Sequence, residues 1–240
     1  MANFPFQRLQ ADLATLISNT PAGQRLPSEP ELAKQLGVSR ATLREAMRSF
    51  ETQGMIRRRQ GSGTFVVGKM QVLDSGLEVL ESLDTIARRL GLEISVSDLA
   101  IESESASPEL AEALNVSAGT GLTRVRRVIR ADRRPVAYLV DVLPESTLHA
   151  RDMPSDFNGS VLDFLLNRGI PLTTSRANVS AIGATAEVAK ALEIQRGDVL
   201  LHFNSLLFDA NGGIVDYSLS YFIPGYFHFH VVRRVGGMQQ

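Results

Sequence analysis

Residues 26–66 read LPSEPELAKQLGVSRATLREAMRSFETQGMIRRRQGSGTFV, and the order of helix signals in this stretch decides the first fold assignment. Ser28 and Glu31 have the S-x-x-E spacing of a capping box, and Pro30 falls in the first turn, where its missing N–H does no harm. Leu32, Ala33 and Leu36 make the buried stripe of that short helix. Gly37-Val38 is a turn, after which Ser39 caps a second helix with Leu43, Ala46, Met47 and Phe50 on one face and a stop at Gly54. Two helices therefore flank a tight turn. Met55–Arg58, the tip Gln60-Gly61-Ser62-Gly63 and Thr64–Val67 then read as a β-hairpin with a glycine-rich end.

Working outward on the N-terminal side, Phe6, Leu9, Leu13, Leu16 and Ile17 recur at spacings of three and four, so residues 5–19 form an amphipathic helix ending near Pro21-Ala22-Gly23. Helix, helix-turn-helix, hairpin is the order of a winged helix. On the C-terminal side, residues 69–80 read as a linker and a second domain is expected over 81–235. It contains an internal repeat at an offset of 78, in which Glu109, Ala111, Ala113, Leu114, Gly119 and Leu122 match Glu187, Ala189, Ala191, Leu192, Gly197 and Leu200. One extra residue in the second copy then aligns Tyr138 with Tyr217. Each copy reads as strand, helix, glycine turn, strand, turn, strand, with a helix near 161–168 between copies. The expectation is an α+β domain with antiparallel strands, whose two halves pack face to face about a cleft.

Charge separates the same two regions. The whole chain has 25 Lys and Arg against 26 Asp and Glu, but residues 1–70 hold ten basic and five acidic residues, leaving 15 and 21 for the rest. A basic N-terminal block suits a polyanionic partner. Arg40, Arg44 and Arg48 follow one another at i, i+4 on the helix after Ser39, opposite its apolar stripe. Guanidinium groups there can meet phosphates or guanine edges, while the Ser39 and Thr42 hydroxyls reach the backbone. Taken alone, such a ridge is better explained as a solvated helix face; the adjoining turn and hairpin reverse that in favour of DNA.

Residues 26–66 closely resemble the winged-helix DNA-binding domain of the GntR family of bacterial transcription regulators. The resemblance implies DNA contacts from Ser28, Ser39, Arg40, Thr42, Arg44 and Arg48 and, at the wing, from Gly61, Ser62, Gly63 and Thr64. Where many members carry a basic residue this chain has Pro30, so one such contact is absent. Residues 81–235 resemble the UTRA effector-binding domain of the HutC branch, carried by VRRVIRADRRPVAY (125–138), LDFLLNRGIPLTTSRANVSA (162–181) and VDYSLSYF (215–222). That resemblance implies a chorismate-lyase-like fold, a small and often anionic metabolite as effector, and a homodimer on an inverted-repeat operator. It further implies that Arg127 and Arg176 clamp the effector anion, with Ser82, Asp216 and Ser218 around it. Leu139 and Phe222 stand where sugar-phosphate-binding members carry a carboxylate and a phenol.

The residues themselves leave Arg127 open. On a strand it faces away from Arg124 and Arg126 and shares the side of Val125 and Ile129, where an arginine needs an anionic partner. An effector would serve, and so would an internal salt bridge with Asp216 or Asp141; Arg176 carries the same ambiguity. His228 and His230 share one face of a terminal strand, but two histidines do not complete a metal's ligand set, and with no cysteine in the chain neither metal nor cofactor is expected. No nucleophile elbow, Walker loop or H-E-x-x-H motif appears. The expected function is a ligand-controlled, sequence-specific repressor, cytoplasmic and not an enzyme. The alternatives are an enzyme sharing the lyase fold and a DNA-binding protein with no ligand.

Overall fold

The computed structural model describes residues 4–59, 62–67, 73–154, 157 and 159–233. The chain divides into two compact units, residues 1–72 with 223–226, and residues 73–222 with 227–240.

The first unit contains α1 (Phe4–Asn19), α2 (Glu29–Gln35), α3 (Arg40–Thr52) and the hairpin β1 (Ile56–Arg59) and β2 (Gly63–Val66). Its local signals act as read. The Ser28 N–H and hydroxyl both donate to Glu31 Oε2, at 2.8 and 2.7 Å, and the Ser39 hydroxyl accepts from the Thr42 N–H at 3.1 Å. Leu9, Leu13 and Ile17 of α1 meet Leu32, Leu43, Met47, Phe50, Ile56 and Val66 in one buried cluster. The hairpin gains a third strand-like edge, because Gly23 donates to the Val66 carbonyl, Val66 to that of Gln24, and Leu26 to that of Thr64, at 2.8–2.9 Å. Gly63, at φ +112°, lies against the Arg25 guanidinium, and a Cβ there would collide with it.

The second unit is built on one antiparallel sheet of six strands. In chain order they are β4 (Ile94–Ser105), β5 (Gly121–Ala131), β6 (Arg134–Pro144), β7 (Leu172–Gly183), β8 (Val199–Asp209) and β9 (Ile214–Phe222), arranged β4-β5-β6-β9-β8-β7. This corrects the expectation of two halves packed face to face. The repeats lie side by side and hydrogen-bond through β6 and β9. Val140 pairs with Leu219, its own counterpart in the repeat, while Tyr138 with Tyr221 mirrors Val142 with Tyr217. A pseudo-twofold axis thus passes through the Val140–Leu219 pair. Joining the copies this way pairs two strands that would otherwise bury open edges. The repeat helices α5 (Pro108–Leu114) and α7 (Ala186–Ala191) cross over, α5 onto β9 and α7 onto β6.

The other face of the sheet carries α6 (Val161–Asn167), whose Val161 and Leu165 pack on Val125, Leu143 and Leu207. Helix α4 (Leu83–Leu90) starts at a Ser82 cap that accepts from the Thr85 N–H at 3.0 Å. The linker expected over 69–80 differs from the structure. Leu73–Gly76 is a strand, β3, pairing in parallel with β10 (Phe227–His230), and residues 69–72 lie outside the described residues.

Candidate functional site

The first candidate surface is the outer face of α3. Arg40, Thr42 and Arg44 are exposed and Arg48 half-buried, on the side opposite Leu43, Ala46, Met47 and Phe50. Arg44 is not loose: its Nε lies 2.6 Å from Glu29 Oε2, and Arg58 Nη2 reaches the other oxygen of Glu29 at 3.3 Å. A single carboxylate at the first turn of α2 therefore orients one guanidinium from the reading helix and one from the wing. Arg48 lies 3.9 Å from Glu45. Of the wing residues, Ser62 is exposed and its N–H donates to the Arg59 carbonyl at 3.0 Å. Thr64 is buried in the hairpin, which takes its side chain away from a DNA-facing role. Gly61 lies outside the described residues. The Arg59 guanidinium stacks 5.2 Å from the centre of the Phe65 ring. Glu29 is the residue that sequence reasoning passed over here; its only signal was its position between two cap residues.

The second candidate surface is the α6 side of the sheet. Strand register determines which side chains share it. Arg127 pairs with Leu139, Leu139 with Ser220, Ser220 with Phe203 and Phe203 with Val179. Asp141, Ser218 and Ser205 form the next row, and Leu207 and Asp216 the one after. Arg176 is three residues from Val179 and so belongs to the opposite face, in register with Leu206 and Tyr217. The sheet brings Arg127, Asp216 and Ser218 to one side and does not bring Arg176 to them. Arg176 is exposed.

Arg127, Asp141 and Asp216 are all buried, and Arg127 Nη1 makes a short ion pair with Asp141 Oδ2. Of the two ways of satisfying this arginine, the internal salt bridge is present. Two atoms of the trio stay without a hydrogen-bond partner among the described residues, Arg127 Nε and Asp216 Oδ1. Burial, reinforced by the charge of Asp141, pushes Asp216 well above the ordinary carboxylate range, against the opposing pull of Arg127. Its surroundings therefore favour the neutral form of Asp216. From α4, Asp84 is also raised by burial, with Arg127 and Asp163 close enough to act on it in opposite directions. The Ser82 hydroxyl donates to Asp163 Oδ2 at 2.6 Å, so this side chain is already engaged. Asp84 and Asp163 were missed because nothing along the chain connects α4 and α6 to β5.

The same face has an apolar end. Phe222 touches Phe203, Phe227 and Phe229 at ring-centre distances of 5.3, 4.7 and 5.2 Å. Leu139 is buried directly across from Arg127. The opposite face is closed by different chemistry: the Tyr138 hydroxyl donates to Glu187 Oε1 at 2.8 Å, and Tyr138 and Tyr221 stack with ring centres 6.0 Å apart.

Comparison with known proteins assigns a family to each of the two units. Residues 6–66 match the model for bacterial regulatory proteins of the gntR family, and residues 89–228 match the UTRA domain. The histidine utilization repressor of Pseudomonas putida is 32% identical over 181 residues, covering 75% of this chain and 72% of that one. The HTH-type transcriptional repressor NagR of Bacillus subtilis (strain 168) is 26% identical over 218 residues, covering 90% and 88%. Among solved structures, PhnF from Mycobacterium smegmatis superposes with a TM-score of 0.64 at 23% identity, over 95% of this chain and all of that one. No helix of the described residues is long and apolar enough to cross a membrane.

Proposed function

The chain belongs to the gntR family of bacterial regulatory proteins, HutC type, and carries a UTRA domain; from that premise we propose that it represses transcription as a homodimer on an inverted-repeat operator, releasing or tightening its grip when a small effector binds between α4, α6 and the sheet. It is a DNA-binding regulator and not an enzyme. Reading of DNA falls to Arg40, Thr42, Arg44 and Arg48 on α3, with Ser28, Ser39 and the wing residues Ser62 and Gly63 against the phosphates.

The observation that carries the effector site is the buried trio Arg127, Asp141 and Asp216 with two unpartnered atoms. Buried polar atoms are nearly always satisfied, so an unfilled Nε–H and an unfilled carboxyl oxygen suit a ligand that offers both an acceptor and a donor. An anionic group on the effector would accept from Arg127 Nε, and the upward shift of Asp216 lessens the repulsion it would meet there. Ser218 supplies a hydroxyl on the same face. Leu139 and the phenylalanines around Phe222 would enclose an apolar or aromatic body. Cytoplasmic location goes with this role.

A thermal-shift screen of small carboxylates and phosphonates, followed by operator binding with each hit, tests the reading. A hit should raise the melting temperature by mass action and change operator affinity in the wild type but not in Arg127→Ala. Operator binding that no hit alters would overturn the effector role.

A further inference from the structure

His228 and His230 share one face of β10, two donors without a third along the nearby chain. The fold supplies the third. β3 runs parallel to β10 with Asp74 opposite His228, and the Nδ1 atoms of His228 and His230 stand 3.0 and 3.1 Å from one oxygen, Asp74 Oδ1. The three donor atoms all lie within 4.8 Å of one another. Opposite His230 the partner position is Gly76, so no side chain from β3 blocks that imidazole, and the Glu78 carboxylate lies over the glycine instead.

The strand carrying the histidines is anchored from its other side. Phe227 and Phe229 point the opposite way and pack on Phe222 and Phe203, and Phe227 also joins the cluster of Leu73, Ile86 and Ala87. The imidazoles are thus projected from a backbone fixed by aromatic packing. In a tetrahedral zinc site with bonds of about 2.0–2.1 Å, donor atoms stand roughly 3.3 Å apart. The two nitrogen-to-oxygen distances here are within a few tenths of an ångström of that, so an ion could replace the shared protons with little movement. Two imidazole nitrogens and one carboxylate oxygen are borderline donors suited to Zn²⁺ and its neighbours rather than to Mg²⁺ or Ca²⁺.

We propose that Asp74, His228 and His230 form a binding site for one divalent transition-metal ion of the zinc class, with water in the fourth position and Glu78 adding negative charge beside it. The ion joins residues 154 and 156 positions apart in the chain, the first strand after residues 68–72 and the last strand of the second unit. Binding would therefore lock β3 to β10 and stabilise the second unit, independently of any effector at Arg127.

The experiment is calorimetric titration of Zn²⁺ alone into the full, untagged, chelator-treated chain, alongside thermal melts. One ion per chain is expected, with a higher melting temperature when it is bound. His228→Ala and His230→Ala should each weaken binding by at least about tenfold, as losing a ligand costs no less than losing its supporting contacts. The near-isosteric Asp74→Asn provides the same test where a histidine variant folds poorly, and His149→Ala should leave binding unchanged. Absence of saturable binding, or affinity unaltered in the His228, His230 and Asp74 variants, would overturn the assignment.

Discussion

Arg127 and Arg176 lie on opposite faces of one six-stranded sheet, because the register from β5 across to β7 places Arg127 in line with Val179, and Arg176 is an odd number of residues away. The two cannot close on one anion within a protomer. Arg127→Ala is expected to abolish the effector's influence on operator binding, while Arg176→Ala leaves it within about twofold of wild type, a change near 0.4 kcal/mol. Fluorescence anisotropy on operator DNA with and without effector measures both. Equal loss in the two variants would mean that Arg176 reaches the ligand by another route.

Breaking the Arg127–Asp141 pair also has a stability consequence. Both side chains are buried, so removing the guanidinium leaves the Asp141 carboxyl group without its partner, and breaking a buried pair this way costs about 3–5 kcal/mol. Urea unfolding of Arg127→Ala should show that loss. The double variant Arg127→Met with Asp141→Leu should recover most of it, since an apolar replacement of the pair leaves no orphaned charge. No recovery would place the cost in packing rather than charge.

Asp216 predicts a pH dependence of folding. Its folded pKa is raised, so the folded chain binds a proton that the unfolded chain gives up near pH 4. That contribution is fully present below the unfolded value and is lost as pH rises through the folded value. Asp216→Asn keeps the uncharged form at every pH. The variant should flatten the decline in stability above pH 4 and should be no less stable than wild type at pH 7. Chemical denaturation at a series of pH values checks this, and a wild-type curve with the same slope as the variant would contradict it.

What the sequence made legible follows the range of the interactions involved. The caps at Ser28 and Ser39, the apolar stripe of α3 and the glycine tip are signals within a few residues, and the DNA-binding unit folds as they dictate. The period-two pattern identified every strand of the sheet, but which face of β7 matches which face of β5 depends on four successive strand pairings that no local pattern encodes. β3 has only four residues, Leu73–Gly76, two of them Asp and Gly, which disfavour strands; its pairing with β10 is entirely tertiary. Asp74 beside His228 was hidden for that reason.

On the DNA side, Glu29 positions Arg44 and Arg58 together. Arg44→Ala should cost about 1–3 kcal/mol against the cognate base pair and little against a mutated one. Glu29→Gln removes a negative charge and an orienting acceptor at once. Its overall affinity for DNA should therefore stay equal or rise, while discrimination between operator and scrambled duplex falls. Binding curves on both duplexes across a salt series separate the two terms. A Glu29→Gln protein as selective as wild type would show that Arg44 needs no such guide.

The charge and body of the effector can be read from linkage. If an anionic group sits at Arg127 Nε, it must coexist with Asp84 and Asp216, both of which favour their neutral forms through burial. An anion there raises their pKa values further, so binding takes up protons and affinity falls as pH rises through those values; a cation would give the opposite slope. Shape adds a second constraint. Leu139 across from Arg127, and Phe222 among Phe203, Phe227 and Phe229, give the site an apolar wall where a polyhydroxylated ligand would leave its hydroxyls unpaired, at about 1–3 kcal/mol each. Aromatic or aliphatic carboxylates should therefore bind more tightly than an amino-sugar phosphate, and more tightly at the lower of two pH values. Calorimetric titration of both ligand types at the two pH values decides it. Tighter binding of the sugar phosphate would show that the walls at Leu139 and Phe222 do not line the ligand, and a reversed pH slope would show that the group at Arg127 is not an anion.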